Sequence, residues 1–161
     1  MRISAVDWHE GGLSPEDSVE VARAFAAHGA DAIDVSTGQT VADERPSFGR
    51  SYQTPFADRI RNVTGMATIA VGAISGFDDV NSIILAGRAD LCALGRAHLY
   101  DPYWTLHAAA EQDVAMTWPL QFQRGSRKPP SGRTDGPRPR LELIRDGAKS
   151  RHRRWRPVRS D

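Results

Sequence analysis

Residues 89–104 read ADLCALGRAHLYDPYW. The apolar run Leu91 to Leu94 stops at Gly95 and Arg96. Apolar residues then resume and break again at Pro102. A short apolar run closed by glycine suits a strand buried on both faces. Such strands belong to parallel sheets, whose faces are covered by helices. A guanidinium directly behind the strand end raises the question of a ligand, because the C-terminal ends of parallel strands are where ligands bind.

Working outward, the same rhythm recurs. RISAVDW, DAIDVST, MATIAVGAI and ADLCALGR are four strand candidates. Four helix candidates separate or follow them. The first has Ser14 as N-cap, Pro15 at its first position, Glu16 and Asp17 in its first turn, and Gly29 as its stop. Val19, Ala22, Phe25 and Ala26 can share its buried face. A long loop, Gly38 to Gln53, precedes TPFADRIRNVTG. FDDVNSIILAGR closes on Gly87. DPYWTLHAAAEQD has Asp101 as N-cap and Pro102 at its first position. Strands alternating with helices require crossovers and so a parallel sheet. The spacing fits a (β/α)8 barrel or a doubly wound sheet, and four units are present where a barrel needs eight.

Composition bounds the rest. The chain has 161 residues and one cysteine, Cys92, which lies in an apolar run and reads as a buried, inert thiol. No apolar stretch reaches the roughly 18 residues of a membrane span, and no leader with an apolar core follows Met1. A cytoplasmic protein is the expectation. The formal charge of +1 conceals a split. Residues 124–161 hold 13 of the 21 basic and 4 of the 20 acidic groups, leaving 8 and 16 for residues 1–123. The basic Pro/Arg-rich segment 126–161 has one short apolar patch, Leu141 to Ile144, and is expected to be disordered. Its Trp155 among arginines could stack on nucleic acid, but a solvated tail is the simpler expectation.

Glycines end both of the last two strands, Gly72 in AVGAI and Gly95 in ALGR. Glycine lets a backbone approach a phosphate and bares its amides. Arg96 adds a fork matched to phosphate oxygens. A tight turn followed by a solvated arginine explains Gly95 and Arg96 equally well when they are taken alone.

Six blocks carry a resemblance: RISAVDWHEGGLSPEDSVEVARAF, DAIDVSTGQ, YQTPFADRIR, ATIAVGAI, GRADLCALGRAHLYDPYWTLHAAA and WPLQFQRG. In order and spacing, residues 2 to about 125 resemble the old yellow enzyme family, in particular its bacterial ene-reductase branch. SGQTVADERPSFGRSYQTPFADRIRN is similar to the reductase part of bifunctional acyl-CoA hydroxylase/reductases acting on salicylyl- or aminobenzoyl-CoA. The resemblance implies an α/β fold, namely the C-terminal half, strands 5 to 8, of a TIM (β/α)8 barrel spanning residues 1–125. It implies FMN as cofactor, NAD(P)H as reductant, and an enone or aromatic acyl-CoA-type small molecule as substrate. Arg2 would face the flavin pyrimidine and stabilise negative charge there. Gly95 and Arg96 would clamp the FMN phosphate, with Gly72 and Ala73 in the companion loop. Arg124 would act catalytically by reaching a neighbouring subunit's site, which makes a homo-oligomer the expectation.

Departures from the family pattern are as specific. The strand-1 flavin loop, the strand-4 histidine pair or His/Asn pair and the tyrosine proton donor have no counterparts, and none of the five histidines fills those positions. A half-barrel that no longer catalyses, and associates through its open strand edges, is the rival expectation. Ser36, Thr37 and Gly38 would lie at the mouth of the site, with Gln53 shaping the same loop. A hydroxyl-stabilised turn is their plainer reading.

Overall fold

The computed structural model describes residues 1–126, 141–144 and 154–157. Two compact units are present, Met1–Ala108 and Ala109–Asp161. The first alternates strand and helix: β1 (Arg2–Ser4), α1 (Pro15–Ala27), β2 (Ala32–Ser36), α2 (Thr54–Thr64), β3 (Ala67–Val71), α3 (Phe77–Leu85), β4 (Leu91–Ala93) and α4 (Arg96–Tyr100), with α5 (Trp104–Glu111) next in the chain. The four strands form one sheet in the order β1-β2-β3-β4, and every pairing is parallel. This is an α/β fold with a parallel sheet, consistent with part of a TIM barrel.

Helix boundaries follow local chemistry. Ser14 caps α1 and forms a capping box with Asp17, whose carboxylate accepts from the Ser14 amide at 3.0 Å. The serine partner holds the Asp17 carboxyl below the ordinary carboxylate range. Gly65 ends α2 in the left-handed region, a conformation that favours glycine. Val19 and Ala22 of α1, Ala57 and Ile60 of α2 and Ile83 of α3 share one core with Ile33, Val35 and Ala70 of the sheet. Ala26 is exposed, so the buried face of α1 ends sooner than its pattern predicts.

Side chains alternate along strands, so the residues between those core positions point away from the helices. In register across the sheet these are Arg2, Asp34, Ile69 and Leu91, followed by Ser4, Ser36, Val71 and Ala93. Leu91 is 59% exposed, while Ile69 and Val71 are half-buried.

Two boundaries differ from the sequence reading. The ladder β1 stops at Ser4 rather than near Trp8, and the chain beyond it is held by loop contacts such as the Gly38 amide on the Val6 carbonyl, 2.8 Å. Pro102 does not open the last helix. Arg96 starts the separate helix α4, Asp101 terminates it, and the Asp101 side chain accepts from the Tyr103 amide at 3.0 Å, which delays α5 to Trp104. The proline signal marked the turn between two helices.

In the second unit, Leu120–Gly125 forms a 3-10 turn, and β5 (Leu141–Ile144) pairs antiparallel with β6 (Arg154–Pro157). The expectation of disorder over 126–161 otherwise lies outside the described residues.

Candidate functional site

All four strands run parallel, so their C-terminal ends share one rim of the sheet. Val71 of β3 lies opposite Ala93 of β4. Gly72 follows the first directly, and Gly95 comes two positions after the second. The register therefore brings Gly72, Ala73, Gly95 and Arg96 to adjacent strand ends.

Gly95 stands open, since an added Cβ would meet no atom within 4 Å. Its carbonyl accepts from the His98 and Leu99 amides at 3.0 and 3.2 Å, which anchors α4. The Gly95 and Arg96 amides donate to no protein group among the described residues. Arg96 is exposed and has neither an acidic nor a hydrogen-bonding partner among them. Unused amides beside an unpaired guanidinium form a binding surface for an oxyanion.

The companion loop is held differently. Gly72 and Ala73 have φ of 101° and 50°. The second is strained for a residue with a Cβ. Ala73 accepts from the amide of Ser51, itself at φ 53°, at 3.1 Å. Gly72 was expected to leave room for a phosphate. What its missing side chain admits is Gln53: an added Cβ would stand 2.8 Å from Gln53 Cδ and closer still to its nitrogen. Gln53, 5% exposed, spans the gap between two strand ends. Its Oε1 accepts from the Thr37 amide and, at 2.8 Å, from the Thr37 hydroxyl, while its Nε2 donates to the Val71 carbonyl at 3.1 Å. The Gly72 and Ala73 amides donate to no protein group among the described residues.

Asp79 fixes the next turn. Its buried carboxylate accepts from the Ser75 and Gly76 amides at 3.1 and 3.2 Å and from Arg50 Nε. Burial alone would raise this carboxyl, but the two amides and the guanidinium outweigh it and hold it below the ordinary range. Trp104 Nε1 donates to the Ser75 carbonyl at 3.0 Å, tying the start of α5 to the same turn. Sequence reasoning missed Asp79 and Arg50. The capping pattern of Gly76 with Asp79 three positions later was the available signal.

Arg2 lies on the sheet face away from the helices, where its guanidinium pairs with Asp34 at 3.4 Å. The other Asp34 oxygen, Oδ1, is buried without a hydrogen-bond partner. Arg124 is exposed on the 3-10 turn of the second unit. The described histidines have structural partners: His9 meets Asp43, His28 the Ala24 carbonyl, His98 Thr105, and His107 Asp101 at 2.7 Å. His152 lies outside the described residues. Cys92 is half-buried rather than buried as its apolar run predicts; that burial, with Asp79 nearby, still raises its thiol. Among the described residues no cluster of metal-ligating side chains exists, and no helix is long and apolar enough to cross a membrane.

Residues 1–114 match the sequence pattern of the NADH:flavin oxidoreductase / NADH oxidase family. The chain belongs to this family. It is 41% identical over 127 residues to an NADPH dehydrogenase of Geobacillus thermodenitrificans (strain NG80-2), a match covering 79% of this chain and 37% of that protein. An NADPH dehydrogenase of Listeria innocua serovar 6a is 41% identical over 124 residues, 77% of this chain and 36% of that protein. The chain thus spans less than two fifths of the curated relatives it matches. FMN and NAD(P)H are the cofactors of this oxidoreductase family. The rim fits the anionic end of FMN: among the described residues the strand-end amides of Gly72, Ala73, Gly95 and Arg96 have no protein acceptor, Gly95 is open, and the Arg96 charge has no partner.

Proposed function

We propose that this chain supplies strands 5 to 8 of a (β/α)8 barrel that binds FMN and takes part in NAD(P)H-dependent reduction. The single observation that carries the reading is the Arg96 guanidinium, without a partner among the described residues, beside amides on two adjacent strand ends that donate to none of them. Gly95 and Arg96 clamp the phosphate, with Gly72 and Ala73 completing the cradle. Arg2 offsets negative charge on the flavin pyrimidine, with Asp34 orienting its guanidinium. Arg124 contributes to a neighbouring subunit's site. When bound, FMN supplies hydride transfer between the nicotinamide and an activated C=C or an aromatic acyl-CoA-derived substrate. The acyl-CoA preference rests on the likeness of residues 36–61 to the bifunctional reductases, and a cytoplasmic setting goes with the nicotinamide reductant.

Flavin titration of the 161-residue chain tests this reading. FMN should quench on binding, and added NADPH should be oxidised no faster than by free FMN, because the residues seen here form one wall of a hydride-transfer site. Absence of FMN binding would refute the reading. NADPH oxidation with cyclohexenone at the rate of the curated relatives would refute the expectation of low turnover.

A second reading, association of two copies through the sheet, is favoured by the exposed Leu91 and by the unpaired outer edges of β1 and β4. Four parallel strands are half of the eight that close a barrel. Sedimentation should then report a dimer, with Leu91→Lys shifting it to monomer. A monomer at all concentrations contradicts it.

A further inference from the structure

Gln53 occupies the N-cap position of α2 and does not cap it. Glutamine is not among the favoured N-cap residues, so the sequence keeps it there for another purpose. Its side chain points instead into the rim. It receives two hydrogen bonds from Thr37, which follows β2, and gives one to Val71, the last residue of β3. The partners fix which end of the amide is which, because an N–H can only donate and a carbonyl can only accept. Gly72, directly after Val71, is the one residue type whose backbone admits this amide at such close range. Two residues away, Ser51 grips the carbonyl of Ala73 at 3.1 Å, and both residues sit in the left-handed region. The segment Ser51–Gln53 thus bonds the carbonyls that flank the turn, Gln53 to Val71 and Ser51 to Ala73, and Gln53 packs against Gly72. Among the described residues the turn's own amides have no protein acceptor.

We infer that Gln53 is a positioning residue for the flavin phosphate: it sets the Gly72–Ala73 turn so that the turn's amides stay directed at an oxyanion rather than relaxing into the sheet. The inference rests on the FMN reading above and extends it to a residue that need not touch the cofactor. Strained backbone persists only where its surroundings over-determine it. Here that constraint comes from Gln53 and Ser51. An apolar side chain of similar length keeps the packing against Gly72 but loses all three hydrogen bonds.

The test compares FMN with riboflavin, which lacks the phosphate, on the full 161-residue chain. Gln53→Met should weaken FMN by about tenfold, the range of one to two lost charge-assisted contacts, and riboflavin by less than about twofold. Gln53→Glu, which cannot donate to the Val71 carbonyl, should lower the same ratio. Thr37→Val, which removes one of the three bonds, should lower it less and serves if either Gln53 variant fails to fold. A wild-type chain that prefers FMN while these variants keep its FMN-to-riboflavin ratio would overturn the inference and leave the FMN reading standing. A wild-type chain that binds neither flavin would overturn both.

Discussion

On the helix-covered face of the sheet, Ile33, Val35, Thr68 and Ala70 are shut off from water. On the opposite face the row between them runs Arg2, Asp34, Ile69 and Leu91, with Leu91 largely exposed and one Asp34 oxygen buried without a partner among the described residues. The two faces of one sheet serve different ends. The first face supplies stability. The second carries the charged pair, and the rim above the sheet carries the unused amides and Arg96. Parallel sheets are stable when both faces are covered, so the uncovered row is where this unit is weakest and where it has surface to offer.

The comparison can be broken by substitution. Ile60→Ala, inside the covered core, should cost about 2–5 kcal/mol in urea unfolding, while Leu91→Ala on the open face should cost under about 1 kcal/mol. Equal losses would mean that the open face is packed in solution. Asp79→Asn removes the charge that gathers the Ser75 and Gly76 amides and Arg50 at the base of the rim, and should cost about 1–3 kcal/mol. Its pH dependence sharpens the assignment. Asp79 and Asp90 both bind their protons more weakly folded than unfolded, Asp90 because of Arg61 and the Thr68 amide. Each therefore adds stability above the ordinary carboxylate range and loses it as pH falls through the lowered folded value. Unfolding midpoints should drop as the solution is acidified below about pH 4. Asp79→Asn should flatten that fall, and an unchanged slope would remove Asp79 from the account.

Thr68→Val is the smallest expected effect, and its sign is opposite. Thr68 is fully buried, and its hydroxyl finds no partner. Its backbone contacts with Asp90 do not need the side chain oxygen. Exchanging hydroxyl for methyl should raise stability by up to about 1 kcal/mol. A loss would show that the hydroxyl is satisfied in solution.

Much of this was legible in the residues. Alternating apolar runs with Ser14, Pro15, Gly29 and Gly87 at helix ends gave the βα order, because caps and periodicity are local properties. Gly95 and Arg96 were visible as an interrupted strand. The helix break at Asp101 was not, since Pro102 is equally at home in a helix's first turn and in the turn between two helices. Asp79 was hidden for a different reason: its partner Arg50 lies 29 residues away, and only the fold brings those segments together. Gln53 was placed at the loop after β2 by the resemblance, but its bonds to Thr37 and Val71 were not legible. Gly72 was legible as a strand-end glycine, but not that its missing side chain makes room for Gln53.

On the proposed function, the rim binds the anionic end of a flavin. The FMN-to-riboflavin affinity ratio of the 161-residue chain, measured with and without Arg96→Ala, tests it most directly. FMN should bind more tightly than riboflavin, and Arg96→Ala should weaken FMN by roughly tenfold or more while moving riboflavin by less than about twofold. Equal affinity for the two flavins, or an FMN affinity indifferent to Arg96, would contradict it.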